Sequence, residues 1–256
     1  MDDLEQYLFK GLRKGYNQNQ ILHTSFIDNK SSIVEYLLTV NVAQQLIDWN
    51  ERYDNTYSLY LEYPTELFFK NAFLPFMDVG NDIFNKNTIQ PKVLKSLNEK
   101  EEIRTGKIDL VVSKGKIGYG DFKESVIGIE LKRINPNLTK VLEDIKRLVI
   151  AIELEDEDFN NSIQSGYCIF IKRLGGNRRP SREQALEKAM RKSIKHITTK
   201  IKANIKTTKA KINIHNELID IKTLEYFKAQ NREDLSSDEV AEETKVVFSV
   251  LVRISR

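Results

Sequence analysis

Between Lys107 and Ile171 the spacing of apolar residues changes from two to about 3.6 and back to two, and nothing else in the chain restricts its fold as tightly. Ile108, Leu110 and Val112 alternate with Asp109, Val111 and Ser113 in a β-branched run that ends among the glycines of 115–120, which reads as a strand. A second strand, Val126 to Ile134, stops at Asn135-Pro136, because the proline ring removes a backbone donor and restricts the residue before it. Leu138, Val141, Leu142, Ile145, Leu148, Val149 and Ile152 then trace one face of a helix, and Gly166 to Ile171 reads as a further strand. Helix, strands, helix and strand in this order predict an α/β fold.

Two helices are predicted ahead of this core. One runs near Leu4 to Leu12. The other follows Ser32, where Ser32 and Glu35 have the spacing of a capping box and Val34, Leu37, Leu38, Val42 and Leu46 recur at helical intervals. Pro64 introduces a third, through Glu66, Phe69, Ala72 and Phe73, since proline is tolerated in a helix's first turn and rarely later. Residues 77–106 carry no pattern that assigns them. After Gly175-Gly176, Ser181 and Gln184 form another capping-box pair, and Leu186, Met190, Ile194, Ile197, Ile201 and Ile205 make an apolar stripe. Ile212 to Ile221 and Val246 to Ile254 read as closing strands with an acidic connector between them. The chain divides on this reading into an N-terminal helical segment (1–61), a core (62–175) and a C-terminal extension of basic helix plus strands (176–256).

A composition of 40% apolar and 30% charged residues, with 11 glycines and 5 prolines, excludes collagen-like and low-complexity chains and argues against disorder. The longest apolar runs, such as Leu148 to Ile152, fall far short of the roughly 20 residues that a membrane-spanning helix needs, so no membrane association is expected. The opening residues include Asp2, Asp3 and Glu5 rather than the basic start and apolar middle of a secretory signal, which makes a cytoplasmic location the expectation. Cys168 is the only cysteine, which rules out an intrachain disulfide and a Cys-rich zinc site, and its setting in Tyr167-Cys168-Ile169-Phe170 is that of a buried, inert thiol. His23, His196 and His215 are too scattered in sequence to suggest a zinc site.

Candidate chemistry lies on the two central strands. Side chains alternate across a strand, so Glu130 and Lys132 share one face while Ile129 and Leu131 take the other, and Asp109 likewise opposes Ile108 and Leu110. If the strands pair, two carboxylates and an ammonium converge beside the sheet. Hard oxygen donors of this kind suit Mg²⁺ or Mn²⁺ together with substrate phosphate oxygens. The Glu-x-Lys spacing alone is weak, because [Asp/Glu]-x-Lys triplets begin at Asp28, Asp121, Glu130, Asp144, Asp220 and Glu243. Only Glu130 sits in an apolar strand with an acid-bearing strand upstream and a helix and strand downstream. Asp121-Phe-Lys123 is its nearest rival, but the glycines around it suggest a loop. Asp144, Lys146 and Arg147 read as charges on a helix surface, one of which could support the site.

Gly106-Lys-Ile-Asp109-Leu-Val-Val and Ile129-Glu130-Leu131-Lys132 resemble the aspartate strand and the E-x-K strand of the PD-(D/E)xK nuclease superfamily. That superfamily, which includes restriction enzymes, repair nucleases, junction resolvases and transposase endonuclease subunits, implies for this chain a restriction-endonuclease-like core, a mixed β-sheet flanked by helices, with the N-terminal helices and the C-terminal basic helix plus strands appended. The resemblance spans about residues 64–173, and Glu66 resembles the helical glutamate that many members carry before these strands, with Glu62 as the alternative. One departure is that Ile108, not proline, precedes Asp109. The resemblance implies that Asp109, Glu130 and the Leu131 carbonyl hold Mg²⁺ or Mn²⁺, while Lys132 orients or deprotonates the attacking water and stabilises charge at phosphorus. A bland reading of Glu66 also exists, since an acid in a first turn complements the positive end of its helix.

Net charge is +3, yet residues 172–211 hold fourteen basic side chains against Glu183 and Glu187, a local excess of +12 that leaves −9 for the remainder. The basic residues on the helix, Lys188, Arg191, Lys192 and Lys195 among them, fall largely opposite the Leu186 to Ile205 stripe, where they would meet a phosphate backbone. Together these features lead to the expectation of a Mg²⁺-dependent DNA endonuclease acting in restriction or another defence against foreign DNA. An RNase or repair exonuclease would use the same site. The rival from another class is a non-catalytic nucleic-acid-binding subunit that keeps the fold as a scaffold. A homodimer or a partner subunit is compatible with either.

Overall fold

A computed structural model of the chain describes residues 3–25, 31–73, 106–115, 123–154, 162–175, 182–230, 236, 240 and 244–256. Residues 77–105, to which the sequence assigns no element, lie outside these, as do Asp121 and Ser181. Helices α1 (Leu4–Ser25) and α2 (Ser31–Glu51) lead into β1 (Tyr57–Pro64), α3 (Thr65–Phe73), β2 (Lys107–Gly115) and β3 (Lys123–Ile134). There follow α4 (Leu138–Glu153), β4 (Ser165–Gly175), α5 (Glu183–Asn204), β5 (Lys211–Lys222), α6 (Leu224–Ala229) and β6 (Lys245–Ser255). No helix among the described residues is long and apolar enough to cross a membrane.

The six strands form one mixed sheet in the order β1-β2-β3-β4-β6-β5. β3 and β4 are parallel, as their connection through α4 requires, and the other neighbours are antiparallel. The mixed sheet flanked by helices is the α/β architecture expected from the sequence. The divisions at 61/62 and 175/176 are not boundaries of this sheet, because the first falls within β1 and because β6 and β5 continue the sheet from β4.

Alternation along the strands sends apolar residues to two cores. On one face Cys168, Phe170, Phe248, Val250, Val252 and Ile254 pack against α3, α4 and α5 through Phe68, Phe69, Val141, Ile145, Leu148, Ile197 and Ile201. On the other, Ile127, Ile129, Leu131, Ile169, Ile171 and Leu251 pack against α1 and α2 through Leu8, Leu12, Leu38, Val42, Leu46 and Trp49. The predicted stripe of α5 is thus the inward face of that helix, with Met190 and Ile194 packed at its margin.

Five local details differ from the sequence reading. β1 has no counterpart among the predicted elements, and Pro64 closes that strand instead of opening the helix, which begins at Thr65. α2 begins at Ser31, one residue before the expected cap, and α5 has Arg182 at its N-cap with no side-chain hydrogen bond. α1 continues to Ser25, well past Leu12.

Candidate active site

Ladder pairing of β2 with β3 runs from Gly115↔Lys123 to Leu110↔Ile129. One step further, a carboxylate replaces the backbone: the Leu131 N–H donates to Asp109 Oδ2 at 2.7 Å. On the other side of β2, Glu62 of β1 takes a left-handed conformation (φ 51°), which non-glycine residues adopt uncommonly. The sheet therefore loosens around Asp109, beside the point where Glu130 and Lys132 leave the β2 ladder. The charge of Asp109 bears on Glu130, and Lys132 lies in the field of both.

The turn from β3 into α4 is fixed by two asparagines. Asn135 donates its N–H to the Ile171 carbonyl at 2.9 Å, while its side chain pairs with the Arg173 backbone through Nδ2 to the carbonyl at 3.1 Å and Oδ1 from the N–H at 3.0 Å. Asn137 then caps α4 by accepting the Thr139 N–H at 2.9 Å. Gly128 and Gly166, neighbours across β3 and β4, let the helices lie close. A Cβ at Gly166 would stand 3.0 Å from Leu148 Cβ, and one at Gly128 would stand 2.9 Å from Phe68 Cζ.

So placed, α4 delivers two charges onto the strand motif. Lys132 Nζ is 2.9 Å from Asp144 Oδ2, and Arg147 donates to Glu130 Oε1 at 2.7 Å. Arg147 also lies 3.7 Å from Asp144 Oδ1. Glu35 on α2 approaches Lys132 to 4.0 Å from the opposite helical layer. Glu130 and Asp144 are buried, and Lys132 and Arg147 are partly so.

Burial and the charges of Asp144 and Asp109 push the Glu130 carboxyl up to about 8, against the opposing pull of Arg147 and Lys132. Burial also raises Asp109, partly countered by the Leu131 N–H and Lys132. For Lys132 burial works against the charge, but Asp144, Asp109 and Glu130 outweigh it and hold the group above the ordinary lysine value. Lys132 is therefore an ammonium at neutral pH, a donor with no lone pair for a proton. Cys168, beside Glu130 in the β3–β4 register, is buried and its thiol is pushed well up by burial, which makes it inert as the sequence suggests.

Of the residues named from sequence, Asp109, Glu130, Leu131 and Lys132 come together. Glu66 is exposed in the first turn of α3, a position that suits a helix-end charge. Glu62 lies on β1, exposed and paired with Lys107 at 2.9 Å. Among the described residues Glu35 of α2, to which the sequence assigns only a capping role, lies 4.0 Å from Lys132. Asp144 is not the surface charge expected from sequence, because it is buried on α4's inward face, and Arg147 is partly buried with it. A signal for this exists in the chain: Asp144 falls between Val141 and Leu148 and beside Ile145 on the apolar stripe. Lys188, Arg191, Lys192 and Lys195 are all exposed on α5, and Arg191 approaches Glu187 at 3.8 Å.

Among the described residues no group of three or more His, Cys, Asp or Glu side chains is arranged to hold a metal ion. Asp109, Glu130 and the Leu131 carbonyl are the hard oxygen donors that the sequence puts forward. Asp109 Oδ2 accepts from the Leu131 N–H and Glu130 Oε1 from Arg147. Comparison with known proteins finds no family model, no curated protein and no solved structure that matches this chain.

Proposed function

We propose that this chain is a metal-dependent nuclease that hydrolyses phosphodiester bonds, with DNA as substrate and Asp109, Glu130 and Lys132 as the catalytic trio. One observation carries the reading: where the β2–β3 ladder gives way, acids gather in excess of the cations that face them. Asp109, Glu130 and Asp144, with Glu35 at the rim, meet only Lys132 and Arg147 among the described residues. A charge network kept for packing alone is expected to balance, since an uncompensated buried charge costs several kcal/mol. Here the raised carboxyls of Glu130 and Asp109 mark the imbalance, and a divalent cation would relieve it.

Asp109, Glu130 and the Leu131 carbonyl would hold Mg²⁺ or Mn²⁺, which when bound activates water and neutralises charge on the phosphate. Lys132, an ammonium, orients the incoming water and donates to a phosphate oxygen as negative charge builds there. It does not act as the base while Asp144 keeps it protonated. Exposed Lys188, Arg191, Lys192 and Lys195 extend from the same helical layer as Asp144 and Arg147, and supply sequence-independent contacts to a nucleic-acid backbone. A setting in restriction or another defence against foreign DNA rests on the superfamily resemblance.

One observation favours the rival scaffold: Glu130 and Lys132 each already have a partner on α4. Cleavage decides between the two. The wild-type chain is incubated with single-stranded, duplex and branched DNA and with RNA, in Mg²⁺, Mn²⁺ or EDTA, beside Asp109→Asn and Glu130→Gln. We expect metal-dependent cleavage that falls by about a hundredfold or more in each variant, the counterpart of several kcal/mol of transition-state stabilisation. Wild-type rates in either variant would refute the site. Binding without cleavage of any substrate would give the chain to the scaffold reading.

A further inference from the structure

Asp144 is a carboxylate placed where a helix normally keeps a hydrophobic side chain. It is 5% exposed, near the middle of α4, between Val141 and Leu148 and next to Ile145. Burying a carboxylate is unfavourable unless opposite charge stands beside it, so an acid here is accounted for by the cations that it faces. It holds Lys132 at 2.9 Å, and its other oxygen faces Arg147 at 3.7 Å, the residue bound to Glu130.

We propose that Asp144 is the positioning residue for Lys132: it fixes the ammonium beside Asp109 and Glu130. The inference rests on the nuclease reading for its catalytic half and on geometry alone for its anchoring half. A lysine side chain is flexible along its four-carbon stem, and one at a partly open site turns toward water unless it is held. Two acids could hold this one. Glu35 is farther, at 4.0 Å, and its side chain is 38% exposed; Asp144 is closer and its side chain alone is 8% exposed, so its field is screened far less. The parts also match in spacing. Glu130 and Lys132 are two apart on a strand face, Asp144 and Arg147 are three apart on a helix face, and each acid meets the base of the other element. One turn of α4 thus sets both motif side chains, and Asp144 sets the one with no other buried partner of opposite charge within 4 Å among the described residues.

The test has one arm that needs no activity. An ammonium held in a desolvated ion pair exchanges protons with water slowly enough to give a nitrogen–proton correlation, whereas a free lysine ammonium does not. The full chain, metal-free, should show such a signal, assigned by its loss in Lys132→Met. It should vanish in Asp144→Ala, survive in Glu35→Gln and return in Asp144→Glu. Should alanine unfold the chain, Asp144→Asn keeps the volume, removes the charge and faces the same outcomes. A Lys132 signal that persists unchanged without the Asp144 charge overturns the proposal.

The second arm measures cleavage. In Asp144→Ala, kcat should fall about 10- to 100-fold while KM stays within about threefold, as expected when a catalytic group is misplaced and binding is not. Asp144→Glu should recover part of that activity. An active wild type with kcat unchanged in Asp144→Ala refutes the positioning role and leaves the nuclease reading standing. A wild type inert on every nucleic acid, with the Lys132 signal still dependent on Asp144, refutes the nuclease reading and upholds the anchor.

Discussion

Glu130 is the residue whose protonation most strongly ties the site to the stability of the chain. Its folded carboxyl titrates near 8, against an ordinary 4.5, because burial and the charges of Asp144 and Asp109 disfavour the anion. Between these values the folded state binds a proton that the unfolded state has released, so stability falls as pH rises through this window. Below about 4.5 both states are protonated and the penalty is absent; above about 8 it is complete. We expect denaturant unfolding in EDTA to show a wild type less stable at pH 8.5 than at pH 5.5, with Glu130→Gln much flatter across the same range. An equal slope in the two proteins would show that Glu130 is not the group responsible. Divalent metal should reduce the destabilisation of the wild type, since a cation stabilises the ionised carboxylate that the proton otherwise neutralises.

Among the elements, α4 and α5 have the same amphipathic logic but use their polar residues differently. α4 turns Asp144 inward and closes on the sheet over Gly166; α5 keeps its Leu186, Ile197 and Ile201 face on the core and its basic residues in solvent. Replacing Lys188, Arg191, Lys192 and Lys195 together with glutamine should weaken binding to unrelated DNA sequences. It should also flatten the slope of log affinity against log salt by about 0.9 for each duplex phosphate that is no longer neutralised. Helical content should stay intact. Binding unaltered at low and high salt would mean that this face meets something other than nucleic acid.

The same elements show what the sequence could and could not reveal. Leu110 and Val112, and Ile129 and Leu131 against Glu130 and Lys132, carry their pattern in a period of two, so the strands and the approach of Asp109 to Glu130 and Lys132 were legible, although Ile108, which the alternation puts with Leu110, packs in the other core. β1 was not, because it lies at the sheet edge with half-buried and exposed positions mixed, and its terminal Pro64 imitates a helix start. Glu35 was hidden for a different reason. Its approach to Lys132 joins α2 to β3 across nearly a hundred residues of chain, and no local period encodes proximity of that kind.

At the scale of the whole molecule, the strands that carry the site and those that follow α5 belong to one hydrogen-bonded sheet, so they should unfold together. Phe248 on β6 is fully buried in the core shared with α4 and α5. Phe248→Ala should cost about 3–5 kcal/mol. Urea unfolding should remain a single transition whether followed by far-UV circular dichroism or by a probe attached near Lys132. Separate transitions for the β3–β4 and β5–β6 regions would contradict one cooperative unit.

β6 has a consequence for the making of the protein. It follows every other strand of the sheet in sequence and yet lies between β4 and β5, pairing Ser165 with Ser255 and Gly175 with Lys245. As the polypeptide leaves the ribosome, β3 and α4 can meet early, whereas β4 presents an unpaired edge until residues far downstream have been made. Contacts so distant in sequence form slowly, and an open edge invites pairing with other chains in the meantime. The sheet that carries the site is complete only when synthesis has passed β6.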